Sequence, residues 1–171
     1  MDCQKDLRTT MKQPIRRYDI TQCALYKCNN KRRLERLLTL KKYDLNKVHR
    51  AISYYSFKQA KKGTEEKRTI TAPSLDLKLL QRRILKRLQK VERPNWLISG
   101  ENRKSYIDNR IMHQESNYLL TMDIEKFYDN CKRESVFRFF TDYLHTTPDI
   151  AGVMTDIVTF DQKIPTGCPT S

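Results

Sequence analysis

Cations and apolar residues are interleaved at helical spacing through most of this chain. That pattern limits what it can fold into: each element has one face to bury and one charged face to leave in water. Leu34, Leu37 and Leu38 stand among Lys31, Arg32, Arg33 and Arg36, and Leu77, Leu80, Ile84 and Leu88 stand among Arg82, Arg83, Lys86, Arg87 and Lys90. With 171 residues, the chain has the size of one ordinary domain or a large piece of one. No apolar run approaches the ~18–20 residues of a membrane helix. The start, Met1-Asp2-Cys3-Gln4-Lys5-Asp6, has no apolar signal core. These features exclude an integral membrane protein, and no membrane partner is expected.

The charge is uneven. Lys and Arg number 34 against 20 Asp and Glu, a net charge of +14. Residues 1–110 hold 29 basic and 11 acidic side chains, whereas residues 111–171 hold 5 and 9. A concentrated positive field attracts a polyanion, and nucleic acid is the usual one. The plainer alternative is a surface tuned for solubility. The cysteines, at 3, 23, 28, 131 and 168, are odd in number and form no C-x-x-C pair. That spacing argues against a disulfide framework or a zinc site and fits a reducing cytoplasm.

The order of elements follows from caps and periodicity. Asn29 or Asn30 would cap a helix from Lys31 to Lys42. Asp44 would cap another, with Leu45, Val48, Ile52 and Tyr55 at helical spacing. Residues 57–73, with a polar centre around Gly63, suit a hairpin whose second strand is Arg68 to Ala72. Pro73-Ser74 opens a basic helix. Ser105 to Ser116 would form another, with Ile107 and Ile111 inward. The run Tyr118 to Ile124 reads as a buried strand that delivers Asp123 at its end. Val136, Phe137, Phe140 and Tyr143 suggest the next helix. Ile150, Val153, Met154, Ile157 and Val158 suggest the last, behind Asp149 as a possible cap.

The chemistry concentrates in Leu120-Thr121-Met122-Asp123-Ile124-Glu125-Lys126-Phe127-Tyr128. A carboxylate at the end of a buried strand is costly unless it is paired or bound to a metal, so a Mg²⁺ ligand is one reading. A helix cap is the other. Here the segment resembles motif A of the reverse transcriptases, an Asp followed four and five residues later by two aromatics. Ile164-Pro165-Thr166-Gly167-Cys168-Pro169-Thr170-Ser171 is similar to motif B, usually L-P-Q-G-x-P-T-S. Arg68 to Pro73 with Leu77 to Gln81 resembles the first block, and Ser99-Gly100 through His113 the second. Lys31 to Leu38, with Tyr55-Ser56-Phe57 and Lys61-Lys62, looks like the beginning of bacterial retron-type enzymes, which are close to group II intron enzymes. The likeness covers roughly residues 30–171, in order.

The resemblance implies an α+β fold, helix-rich with a small antiparallel sheet: reverse-transcriptase fingers with the first part of the palm, truncated at motif B. Residues 1–56 would be a basic helical region, 57–117 the fingers and 118–171 a partial palm. It implies an RNA-directed DNA polymerase acting on an RNA template, a DNA or RNA primer and dNTPs. Two Mg²⁺ ions are expected in the complete enzyme. Asp123 would be the catalytic metal ligand, assisted by the Ile124 carbonyl. Lys61, Lys62 and Arg68 would reach the triphosphate, and Tyr128 would lie under the sugar. Thr166 and Gly167, with Pro165, would shape the nucleotide floor. Arg82, Arg83, Arg87, Arg103 and Lys104 would contact nucleic acid. Family context adds a retron non-coding RNA or an effector protein as partner and a role in antiviral defence.

Two departures stand out. Thr166 occupies the position where most members carry Gln, and its shorter side chain offers no amide. The aromatic-x-Asp-Asp turn of motif C does not occur in the sequence, so the 171 residues alone are expected to be inactive. A half palm also lacks the strands that would pair with 118–124, so the isolated chain is expected to be poorly stable or to have a partner that completes it. A second reading is a non-catalytic, degenerate nucleic-acid-binding module. A third is a scaffold whose positive face binds an acidic protein.

Overall fold

A computed structural model describes residues 16–40, 45–60, 63, 67–101 and 104–171; of Asn46, Lys47 and Arg68 only the backbone is described. Asp44, Lys61, Lys62 and Arg103 lie outside these residues.

Helix α1 spans Lys31–Leu38 and starts where the Asn30 side chain accepts a hydrogen bond from the Arg32 amide at 2.8 Å. It stops short of the expected Lys42. Thr39 adopts a left-handed backbone (φ 49°) and turns the chain, a conformation that costs a residue with a Cβ about 1 kcal/mol. The next element is not the expected α-helix. Leu45–Ala51 winds as a tighter 3₁₀ turn. Leu45, Val48 and Ala51 are all buried, a three-residue spacing that such a turn eclipses onto one side. Tyr55, expected on that helix, instead lies in strand β1, Tyr54–Ala60.

Strand β1 pairs antiparallel with β2, Lys67–Pro73, in a register that sets Tyr54 opposite Pro73, Phe57 opposite Ile70 and Ala60 opposite Lys67. Beyond Tyr54 this ribbon is solvent-exposed along β1. The Ser74 amide, bonded to the Ser53 carbonyl at 2.8 Å, closes the base of the ribbon. It leads into α2, Leu75–Leu88, which buries Leu77, Leu80, Gln81 and Ile84.

Helix α3, Tyr106–Met112, carries a reciprocal capping box between Ser105 and Asp108. Its expected inward residues are not inward: Ile107 and Ile111 are both more than half exposed. The box holds this helix without a packed face.

The larger correction concerns residues 118–124. They form no strand and are exposed throughout. An apolar run becomes a strand only by pairing, and among the described residues the one sheet is the β1–β2 ribbon. After it come α4, Phe127–Asn130, and α5, Arg133–Arg138, which widens into a π turn over Phe139–Tyr143. Helix α6, Pro148–Val158, follows Thr147 at the N-cap position, whose side chain makes no capping hydrogen bond, and has Pro148 in its first turn. Asp149, the expected cap, therefore sits two residues past the cap position, in the first turn of the helix. Proline suits the first turn because it lacks the amide hydrogen that would otherwise go unpaired.

One core joins these pieces. Leu34 and Leu38 of α1, Leu45 and Val48 of the 3₁₀ turn, and Leu77, Leu80 and Ile84 of α2 meet Phe140, Leu144, Ile150, Met154 and Ile157. The architecture is thus helix-rich with a small antiparallel sheet, as expected for the α+β class. No described helix is long and apolar enough to cross a membrane. Among the described residues Cys23, Cys28, Cys131 and Cys168 are free thiols.

Candidate nucleotide and nucleic-acid site

Three segments far apart in sequence meet at the 160–171 turn. The first is the stretch that follows Asp123. Lys126 takes a left-handed backbone and starts α4, and the Asn130 side chain donates back to the Glu125 and Lys126 carbonyls. Beyond α4, the Ile164 amide donates to the Cys131 carbonyl at 3.0 Å, and the Arg133 amide to the Gln162 carbonyl at 2.8 Å. Asp129 pairs with Lys163 at 2.5 Å. The Lys163 ammonium holds the Asp129 carboxyl below the usual carboxylate range, and Asp129 in turn raises the lysine.

The second segment is β2. The Gly167 amide donates to the Thr71 carbonyl at 3.1 Å. A Cβ at position 167 would stand 2.5 Å from that same oxygen and 3.0 Å from the Ile70 side chain. Only glycine lets the two backbones approach so closely. The third segment is α2, whose Gln81 amide nitrogen lies 3.5 Å from the Cys168 sulfur. Burial pushes the Cys168 thiol up.

The expected site residues divide by environment. Asp123 is exposed and Ile124 is 66% exposed, both in the irregular stretch before α4. Tyr128 lies in α4 with its ring edge-on to Phe127, centroids 5.3 Å apart. Thr166 is exposed, whereas Pro165 and Cys168 on either side of Thr166 and Gly167 are buried. Arg68 stands opposite Gln59 in the ribbon. Arg82 is exposed. Arg83 donates to the Leu38 and Thr39 carbonyls, the unpaired end of α1. Arg87 donates to the Arg83 carbonyl at 2.7 Å, and burial lowers its guanidinium. The Lys104 ammonium donates to the Asn95 carbonyl at 3.0 Å.

Mg²⁺ takes a near-octahedral set of oxygens, usually one or two carboxylates with waters and phosphates. Among the described residues no three His, Cys, Asp or Glu side chains converge. Asp123 and the Ile124 carbonyl therefore supply at most part of a set, and the described residues alone do not complete one.

Two residues escaped the sequence reading. Gln81 is fully buried, and Tyr54 packs its ring on Phe160 at 4.6 Å. The signal for Gln81 was present: an amide in the apolar stripe that also contains Leu77, Leu80 and Ile84.

No protein-family model matches the chain. Among curated proteins it is 32% identical over 120 residues to the retron Ec86 reverse transcriptase of Escherichia coli, covering 69% of this chain and 37% of that one. It is 28% identical over 118 residues to the retron Se72 reverse transcriptase of Salmonella heidelberg, covering 68% and 31%. To the retron Ec48 reverse transcriptase of Escherichia coli it is 27% identical over 129 residues, covering 68% and 32%. The chain spans about a third of the length of these relatives. With its ordered motifs, this likeness shows that the chain belongs to the retron-type reverse transcriptases, of which it matches the N-terminal portion.

Proposed function

We propose that the chain forms the fingers and first part of the palm of an RNA-directed DNA polymerase, which adds dNTPs to a primer 3′-hydroxyl on an RNA template in the cytoplasm. The observation that carries the reading is the meeting of three motif-bearing segments at one turn. The β2 strand of the first block, the α4 end of motif A and the motif B turn are joined by backbone hydrogen bonds. In this reading residues 1–56, 57–117 and 118–171 are the basic region, fingers and partial palm, sharing one core.

Tyr128 supplies a ring beside the sugar and discriminates against a 2′-hydroxyl by size. Lys61, Lys62 and Arg68 offer cations to the triphosphate. Arg82, Arg83, Arg87, Arg103 and Lys104 supply positive charge toward the template. Arg82, exposed on α2, is the best placed for that, since Arg83 and Arg87 already serve backbone carbonyls. Thr166 and Gly167 form the floor of the nucleotide site. Divalent ions, two Mg²⁺ in the complete enzyme, would supply positive charge at the transferring phosphate; this chain contributes the Asp123 carboxylate and the Ile124 carbonyl toward them. A retron non-coding RNA or an effector protein is the natural partner.

The test is primer extension by the product of the complete reading frame, with RNA template, dNTPs and Mg²⁺. Wild type extends the primer, and Asp123→Ala falls to background while its melting temperature stays unchanged, because the side chain is exposed. An active Asp123→Ala enzyme would reject the role of that residue, and no wild-type product would reject the polymerase. A second reading, a nucleic-acid-binding module without catalysis, draws on the exposure of Asp123 and the absence of converging carboxylates among the described residues. It requires RNA binding that falls steeply with salt and is indifferent to Asp123→Ala.

A further inference from the structure

The buried side of α2 carries one amide. Gln81 is completely enclosed, and its Nε2 points at three acceptors on three other segments. These are the Ile157 carbonyl in α6 at 2.9 Å, the Tyr54 hydroxyl in β1 at 3.1 Å and the Cys168 sulfur in the motif B turn at 3.5 Å. The Tyr54 hydroxyl in turn lies 3.4 Å from the Ile157 carbonyl and 3.3 Å from the Thr159 carbonyl. Carbonyls only accept, so the amide nitrogen must face Ile157; turning the amide over would set oxygen against oxygen. The Gln81 Oε1 has no donor among the described residues. An unpaired buried acceptor is costly, so the orientation is held by what the nitrogen gains.

A purely structural account covers part of this. Ile157 lies in the last turn of α6, where carbonyls lack partners within the helix, and Gln81 satisfies one. That account does not require the amide to touch Cys168 or Tyr54. The turn bearing Cys168 is the one pressed on β2 through Gly167, with no space for a methyl group. Gln81 and Gly167 thus pin that turn from two sides, on α2 and on the ribbon, with Thr166 exposed beside them.

We propose that Gln81, with Tyr54, is a positioning residue that holds the Thr166–Gly167 backbone in register with the β1–β2 ribbon and so sets the affinity for the incoming nucleotide. The inference rests on the polymerase reading for its consequence, and on the contacts above for its cause. Gln81 is wholly enclosed, so its effect would pass through the turn.

The test uses the product of the complete reading frame and two variants. Gln81→Met keeps length and volume without the amide, and Tyr54→Phe removes one hydroxyl. KM for dNTP is expected to rise roughly five- to tenfold in each while kcat stays within about twofold, the pattern of lost binding rather than lost chemistry. Hydrogen exchange of the 164–171 backbone is expected to speed up, with that of α2 unchanged. A merely structural role would lower the melting temperature and the active fraction and leave KM where it was. Unmoved KM in Tyr54→Phe, the milder change should Gln81→Met fail to fold, overturns the inference while leaving the polymerase standing. If wild type makes no product, the polymerase reading falls. Hydrogen exchange then decides the pinning alone, and unchanged exchange in 164–171 overturns it.

Discussion

Met122 and Met154 carry the same side chain to opposite ends: one is 82% exposed and the other wholly buried. Their neighbourhoods are equally apolar. Leu119, Leu120 and Ile124 surround the first, while Ile150, Ile157 and Val158 surround the second. The difference is partnership. Helix α6 satisfies most of its own backbone, with Gln81 serving the Ile157 carbonyl at its end, and needs only a surface to lie on, which α2 and the 139–144 turn provide. A strand must find its hydrogen bonds elsewhere, and among the described residues 118–124 finds none. Burial follows the satisfaction of backbone polar groups as much as it follows hydrophobicity.

The sharpest way to break this comparison is to cut both methionines back in the 171-residue chain. Met154→Ala is expected to cost about 2–5 kcal/mol. Met122→Ala should stay within about 0.5 kcal/mol, as at an exposed site. Urea titration reads both, and equal losses would mean that the 118–124 run is covered in solution. The next effect is at Gly167. Gly167→Ala drives a Cβ into the Thr71 carbonyl and should cost about 1–3 kcal/mol, as overpacking does. An unchanged urea midpoint would show that the turn is not seated on β2.

Arg83 and Arg82 sharpen the contrast on one helix. Arg83→Ala strips the α1 carbonyls of their donor and should lose about 1 kcal/mol. Arg82→Ala should leave stability within about 0.5 kcal/mol. It should instead reduce the salt slope of RNA binding by about 1. The smallest effect is that of pH. The pKa of Asp129 is depressed by Lys163, so its contribution is present above the unfolded carboxylate pKa and fades as pH falls through the lower folded value. Acid titration of Asp129→Asn should lack that step, and an identical acid profile would remove the pair from consideration.

Legibility in the sequence followed the range of the interaction. The Asn30 cap, the hairpin and the α2 stripe depend on neighbours a few residues away, and each was readable. The end of α1 was not, because Arg83 meets it from a remote helix. The inward face assigned to Ile107 and Ile111 failed for a related reason: periodicity marks a face that is fit for burial and says nothing of what arrives to cover it. Residues 118–124 failed most plainly, since a strand is a property of a pair. At the site, Gly167 was read as part of the nucleotide floor, and its close approach to Thr71 depends on a strand almost a hundred residues away; Gln81 was read only as the end of the first block, because its partners lie on three remote segments.

The absence of slack at Gly167 makes its contact a mechanical one. A push on the ribbon reaches the motif B turn directly, because two backbones in van der Waals touch have no side chain to yield between them. A displacement of the ribbon would be felt at Thr166 as movement rather than as charge, with a missing methyl group as its fulcrum.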